Sequence, residues 1–182
     1  DTVIQMMVEQ RLRRQVHALR AESGVAVVMS PRTGEILAMA SYPTYDLNRY
    51  RNAPPEWMRN RAISVNYEPG SVMKAALIAS ALEHGIVKED DLIDCENGYW
   101  VYGGRSLQDS HGEGVIPVKD VIKDSSNIGT AKIALEMGEQ LVYDSLKAFH
   151  FGDRLGLDIP GEEAGIFNAP KSWSKISITR IG

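Results

Sequence analysis

Cysteine is nearly absent from this chain: Cys95 is the only one in 182 residues. That excludes an internal disulfide and a thiolate metal site, and it fits either a reducing compartment or an exported protein that does without disulfides. Long apolar runs are missing as well, so no stretch reads as a membrane span or as a secretory leader. An excess of positive charge is missing too. The net charge is −4, which gives no reason to propose a nucleic-acid partner. The basic cluster Arg11-Leu12-Arg13-Arg14 reads as the solvated face of a helix. The four histidines, His17, His84, His111 and His150, show no metal-ligand spacing. There is no Gly-x-Ser-x-Gly elbow, no phosphate-binding Gly-Lys loop and no dinucleotide fingerprint. Repeats and low-complexity segments are lacking, so one domain is the simplest organisation.

What is present is a globular composition, 43% hydrophobic and 24% charged. Ile4, Val8, Leu12, Val16 and Leu19 recur at helical spacing and predict a helix over Thr2–Arg20. Gly24–Met29 and Glu35–Ala40 read as strands joined by the turn Ser30-Pro31-Arg32-Thr33-Gly34. Residues 42–55 carry Pro, Asn and Tyr without periodicity and read as an irregular loop. A helix is predicted over Ser71–His84, with Met73, Ala76, Leu77, Ala81 and Leu82 on its apolar side and Gly85 ending it. Asp90–Gly114 reads as mostly loop with a short hairpin. Pro117–Asp124, Ile128–Met137 and Gln140–Phe149 read as helices, the second stopped by Gly138, and Trp173–Ile181 as one short helix. Two strands alone make a poor sheet, which suggests that the sheet is incomplete.

The chemistry concentrates at Ser71-Val72-Met73-Lys74 and at Ser125-Ser126-Asn127. Either pattern alone is weak, because Ser-x-x-Lys recurs at Ser172–Lys175 and Ser-x-Asn at Ser64–Asn66. Context favours Ser71: Pro69-Gly70 breaks the chain before it and an apolar-periodic helix follows. A serine in the first helical turn meets free N–H groups and the positive end of the dipole. A lysine at i+3 shares its face, and burial of that face would lower the amine's pKa enough for it to take the serine proton. Against this stand plain alternatives: Ser71 as an N-cap with Lys74 as a solvated helix lysine, and Ser126 or Asn127 as the cap of the following helix. Asp109-Ser110-His111 holds triad residue types, but adjacent loop positions do not make a triad, and His111 reads as a solvated loop histidine.

The chain resembles the transpeptidase domain of class B penicillin-binding proteins. Gly34-Glu35-Ile36-Leu37-Ala38-Met39-Ala40-Ser41-Tyr42-Pro43 resembles that family's first hairpin and the loop after it. Asn60-Arg61-Ala62 and Tyr67-Glu68-Pro69-Gly70-Ser71 resemble the approach to its nucleophile. Ser125-Ser126-Asn127-Ile128-Gly129 resembles its second motif at the right spacing, and Phe151-Gly152, Gly156 and Pro160-Gly161-Glu162 the segment beyond. The resemblance implies an α+β sandwich of the penicillin-binding and serine β-lactamase type. It implies that residues 1–182 form one incomplete domain: the first hairpin of an antiparallel sheet and the helix-rich subdomain, without the later strands.

The function implied is a serine D,D-transpeptidase that cross-links peptidoglycan stem peptides ending in D-Ala-D-Ala and is acylated by β-lactams. In that scheme Ser71 is the nucleophile, Lys74 the general base, Ser125 the proton relay, and Asn127 the residue that positions Lys74 and the donor peptide. No metal or organic cofactor is implied. The third motif, Lys-Thr-Gly or Lys-Ser-Gly, does not follow the Ser-x-Asn segment, and Arg32-Thr33-Gly34 is a decoy in the first hairpin. The chain alone is therefore expected to fall short of full activity. The family further implies a place on the outer face of the bacterial cell membrane, an anchor upstream of Asp1, and divisome or elongasome partners, with a lean toward the division-type members. A serine β-lactamase and a β-lactam sensor are the rival readings. The Glu-x-x-Leu-Asn signature of one β-lactamase class is absent, and Ser-Ser-Asn differs from the Ser-x-Val pattern of another.

Overall fold

The computed structural model describes residues 1–179, with the side chains of Ser172, Lys175 and Ile176 left aside. The chain forms two compact units, Asp1–Asn66 with Gly156–Ala164, and Tyr67–Leu155 with the residues from Gly165 on.

In the first unit, helix α1 spans Thr2–Leu19. Asp1 caps it, its carboxylate accepting from Val3 N and Ile4 N at 2.9 and 3.0 Å. The helix ends at Arg20, which takes the left-handed conformation (φ 53°). Strands β1 (Gly24–Met29) and β2 (Ile36–Tyr42) pair antiparallel, with an irregularity between Val28 and Met29. Helix α1 packs against β2. Gln5 on that helix satisfies β2 as a neighbouring strand would: its Oε1 accepts from Met39 N and its Nε2 donates to Met39 O, both at 2.9 Å. Gly24 lets α1 approach closely, because a Cβ there would sit 2.8 Å from Val16 Cγ2. Ala38 and Ala40 are buried, whereas Val25, Val27 and Met29 on the other face of the hairpin are exposed. The short helix α2 (Arg61–Ser64) completes this unit with the 3₁₀ turns Leu47–Asn52 and Pro55–Trp57, which occupy part of the stretch expected to be irregular.

The second unit is helix-rich. A 3₁₀ turn, Gly70–Val72, runs into helix α3 (Met73–Glu83). Strand β3 (Leu92–Asp94) pairs with β6 (Val115–Pro117), and between them lies the hairpin β4 (Tyr99–Tyr102) and β5 (Arg105–Gln108). The expected single hairpin in this region is therefore joined by a second ladder. It escapes the sequence because each strand is three residues long and its partner lies far along the chain.

Helix α4 (Val118–Lys123) follows, then α5 over Asn127–Ala148. Within α5, Gly138 leaves the helical conformation (φ 77°, ψ 163°), so the run is two helical segments, as its glycine predicted. Helix α6 (Lys175–Ile178) is shorter than the expected Trp173–Ile181, whose last two positions lie outside the described residues.

The core joins Leu77, Ile78 and Ala81 of α3, Val118 and Val121 of α4, and Ile133, Ala134, Met137, Val142 and Leu146 of α5. A smaller cluster of Leu107, Ile128 and Ala131, with Trp100 against it, fastens the β4–β5 hairpin to α5. At Gly129, α5 passes close to its neighbours. A Cβ there would lie 2.8 and 2.9 Å from the Val121 methyls and 3.1 Å from Cys95 Sγ. Alanine in a helix normally gains up to about 1 kcal/mol over glycine. Overpacking costs about 1–3 kcal/mol. Gly129→Ala is accordingly expected to lower the urea midpoint of unfolding, where an exposed helical glycine would raise it.

Candidate active site

Gly70 adopts a positive φ (60°), a conformation that turns the chain sharply into the 3₁₀ turn bearing Ser71. Ser71 is exposed there. It makes no N-cap hydrogen bond, so the capping alternative does not hold. Lys74, on the first turn of α3, is 2% exposed, so it is not a solvated helix lysine either.

Its Nζ donates to Ser125 O at 2.6 Å, to Ser125 Oγ at 3.1 Å and to Asn127 Oδ1 at 2.5 Å. Three acceptors thus match the three N–H bonds of an ammonium. Burial pushes the Lys74 pKa below the ordinary lysine range, and the negative charge of Asp109 opposes that shift. A neutral amine has one lone pair and two N–H bonds, so deprotonation must release one acceptor. Ser125 Oγ is suited to that change, because a hydroxyl can reverse roles and donate to the lone pair.

Ser125 has a left-handed backbone (φ 57°), a conformation that costs a side-chain-bearing residue about 1–3 kcal/mol. Its carbonyl is the acceptor at 2.6 Å from Lys74 Nζ. Ser126 caps α5: its Oγ accepts from Gly129 N at 2.8 Å and donates to Asp109 Oδ2 at 2.6 Å, with Cys95 Sγ at 3.3 Å. Burial pushes the Cys95 thiol up. The cap and the polar presentation are compatible because neighbouring residues divide them, Ser126 turning inward while Ser125 and Asn127 meet Lys74. Asn127 Nδ2 donates to Gln108 O at 2.7 Å, which orients the amide so that its oxygen faces the lysine.

Ser71, Lys74, Ser125 and Asn127 therefore all fall in the second unit, and the last three are in direct contact. Asp109 was set aside in the sequence as a member of an unworkable triad with Ser110 and His111. In the structure it serves the Ser-x-Asn segment instead, accepting from Ser126 Oγ, Asn127 N and Ile128 N. A lone loop aspartate carries no sequence signal for that.

With that geometry in place, the sequence pattern described as "Penicillin binding protein transpeptidase domain" matches residues 24–182. The chain belongs to the penicillin-binding protein transpeptidase family. It is 34% identical over 177 residues to the probable peptidoglycan D,D-transpeptidase PbpC of Pseudomonas aeruginosa, covering 97% of this chain and 31% of that protein. It is likewise 34% identical over 176 residues to the peptidoglycan D,D-transpeptidase FtsI of Escherichia coli K12, covering 97% and 30%. Among solved structures it superposes on the TP domain of Burkholderia pseudomallei penicillin-binding protein 3 with a TM-score of 0.86 and 31% identity, covering 98% of this chain and 50% of that one. The chain thus spans about a third of the length of the curated relatives.

In this transpeptidase-family chain the decoy motifs have structural duties. Ser64 Oγ donates to Asn60 O at 2.8 Å and closes the turn of α2. Thr33 Oγ1 accepts from Glu35 N at 3.3 Å within the hairpin turn. Lys175 opens α6, and its side chain and that of Ser172 lie outside the described residues.

Proposed function

We propose that the whole protein is a peptidoglycan D,D-transpeptidase working through an acyl-enzyme on Ser71. The observation that carries the reading is the buried Lys74 amine, held by Ser125 and Asn127 one helical turn after Ser71. In the acylation step the Ser71 hydroxyl proton passes to neutral Lys74 as Ser71 Oγ bonds to the penultimate D-alanine carbonyl of a stem peptide. The carbon–nitrogen bond to the terminal D-alanine then breaks, and its nitrogen takes a proton through Ser125. An amine of a second stem peptide attacks the ester, gives up a proton to the same groups and restores the Ser71 hydroxyl. The Ser71 N–H, in the turn entering α3, is a donor for the developing oxyanion. Asn127 holds Lys74 and the donor peptide.

A β-lactam presents a strained acyl donor to the same serine and stays attached. The reading carries with it action outside the cytoplasmic membrane, an N-terminal anchor and partners in the division or elongation machinery. No described helix is long and apolar enough to cross a membrane. The two compact units are taken as parts of one transpeptidase domain.

The test is intact mass after exposure of the full-length protein to benzylpenicillin, followed by tryptic mapping. The expected result is one penicilloyl group on the peptide Ala62–Lys74, placed on Ser71. An adduct on another residue, or no adduct at all, overturns the proposal.

A further inference from the structure

One carboxylate lies beneath both halves of the polar cluster. Asp109 follows β5, and its Oδ1 accepts from Asn127 N at 2.6 Å and from Ile128 N at 3.1 Å, while its Oδ2 accepts from Ser126 Oγ at 2.6 Å. Two of these donors are backbone N–H groups at the start of α5, which have no partner within the helix. The third belongs to the residue that caps it.

Asp109 is itself held firmly. Its N–H donates to Gly98 O at 3.1 Å. Gly98 ends a turn in which Glu96, Asn97 and Gly98 all have positive φ (55°, 52° and 83°). That turn is pressed on its partner loop so closely that a Cβ on Gly98 would lie 2.9 Å from Gly112 Cα. The carboxylate is therefore a fixed point, and the residues on either side of Ser126 take their places from it.

We propose that Asp109 is a positioning residue of this site: its carboxylate sets Ser126 and the first turn of α5, and through them the places of Ser125 and Asn127 against Lys74 Nζ. Its charge has a second consequence. Lys74 stands on α3, which packs against α4 and α5; those helices carry the charged residues Lys119, Asp120, Lys123, Lys132, Glu136, Glu139, Asp144 and Lys147, with Asp124 at the end of α4. Among the described residues, Asp109 is the charged group that acts on Lys74, and it favours the ammonium. The same carboxylate thus places the acceptors around Lys74 and, against the larger effect of burial, raises the pH at which the lysine becomes a base.

The proposal rests on Lys74 being the base of the acylation step, and its test separates the two ideas. Asp109→Asn, Asp109→Glu and Ser126→Ala are made in the full-length protein. Two quantities are read: the rate of penicilloylation across pH, and the titration of Lys74 followed by NMR of the ¹³C-labelled lysine side chain. Asp109→Asn is expected to slow acylation about a hundredfold, the scale of a misplaced catalytic group. It should also move the Lys74 titration, and with it the acidic limb of the rate profile, to lower pH. Asp109→Glu keeps the charge and should shift the titration less. Ser126→Ala removes one anchor and keeps the charge, so it should slow acylation several-fold and leave the titration in place.

Wild-type acylation in Asp109→Asn, or slowed acylation with an unmoved Lys74 titration, overturns the proposal. If Asp109→Asn does not fold, Ser126→Ala decides: a wild-type rate there overturns it. If the wild-type protein is never acylated, the functional reading fails, and the Lys74 titration alone still decides for or against Asp109.

Discussion

Replacing Lys74 by methionine lowers penicilloylation of the protein by about 10²- to 10⁴-fold, the range general-base catalysis supplies. The side chains are close in length, so the helix face stays filled and the amine alone is lost. Stability should change little. Burying an ammonium is costly, and apolar replacements of buried ionic groups are often neutral or stabilising. Against that gain, Ser125 O and Asn127 Oδ1 lose their donor, at about 1–3 kcal/mol for an acceptor left unsatisfied. The opposing terms are of similar size, so loss of acylation by an intact fold is the expected result.

The pH dependence follows from the sign of the shift. Because the folded-state pKa of Lys74 is lowered, the unfolded chain binds more protons between that value and the ordinary lysine range. The wild-type protein therefore gains stability relative to Lys74→Met as pH rises through this window, and the penalty for the buried charge is complete below it. Acylation falls on the acid side, as pH drops through the lowered pKa and the amine takes a proton. Urea unfolding of both proteins over a pH series, beside penicilloylation rates, checks the two together. A wild-type rate in Lys74→Met removes the lysine from the mechanism.

How much of this was legible in the sequence differs from element to element. Helix α1 and the first hairpin follow from period 3.6 and period 2 patterns bounded by Pro and Gly, and they stand where expected. The apolar periodicity of α3 and the Pro69-Gly70 break marked the helix that carries Lys74, although the α-helix begins at Met73 and Ser71 lies in the 3₁₀ turn before it, not in the first turn of the expected Ser71–His84 helix. The burial of Lys74 was not legible, because a lysine on a helix face looks the same whether or not another helix covers it. The left-handed Ser125 was hidden for a related reason. Nothing in a serine announces positive φ, and the conformation is held by α4, α5 and the amine it faces. Asp109 was visible only as a loop carboxylate. Its role depends on β5 packing against α5 through Leu107 and Ile128, a contact between distant stretches of chain. The β3–β6 ladder failed to show for the same cause, non-local pairing of very short strands.

The core supplies the other large effect, and Ile133→Ala is where it is sharpest. Ile133 is 0% exposed and lies on α5 in the cluster that joins α3 and α4 to it. Truncation removes apolar surface and leaves a cavity that packed helices close only in part, at about 2–5 kcal/mol. A domain's whole stability is about 5–15 kcal/mol, so one such change takes a large share of it. Ile133→Val, which removes a single methylene, should cost about 0.5–1.5 kcal/mol.

The consequence reaches the polar cluster, because Lys74 stands on α3 while Ser125 and Asn127 stand at the start of α5. The hydrogen bonds between them contribute about 1–3 kcal/mol each, so packing of α3 on α5 has to hold the two helices in register before those bonds can form. Urea unfolding followed by tryptophan fluorescence should therefore show a markedly lower midpoint for Ile133→Ala. Penicilloylation should disappear at lower urea than in the wild type, in step with the unfolding. If acylation instead survives past the fluorescence transition, the site is held by local contacts around Lys74 and not by the helix core.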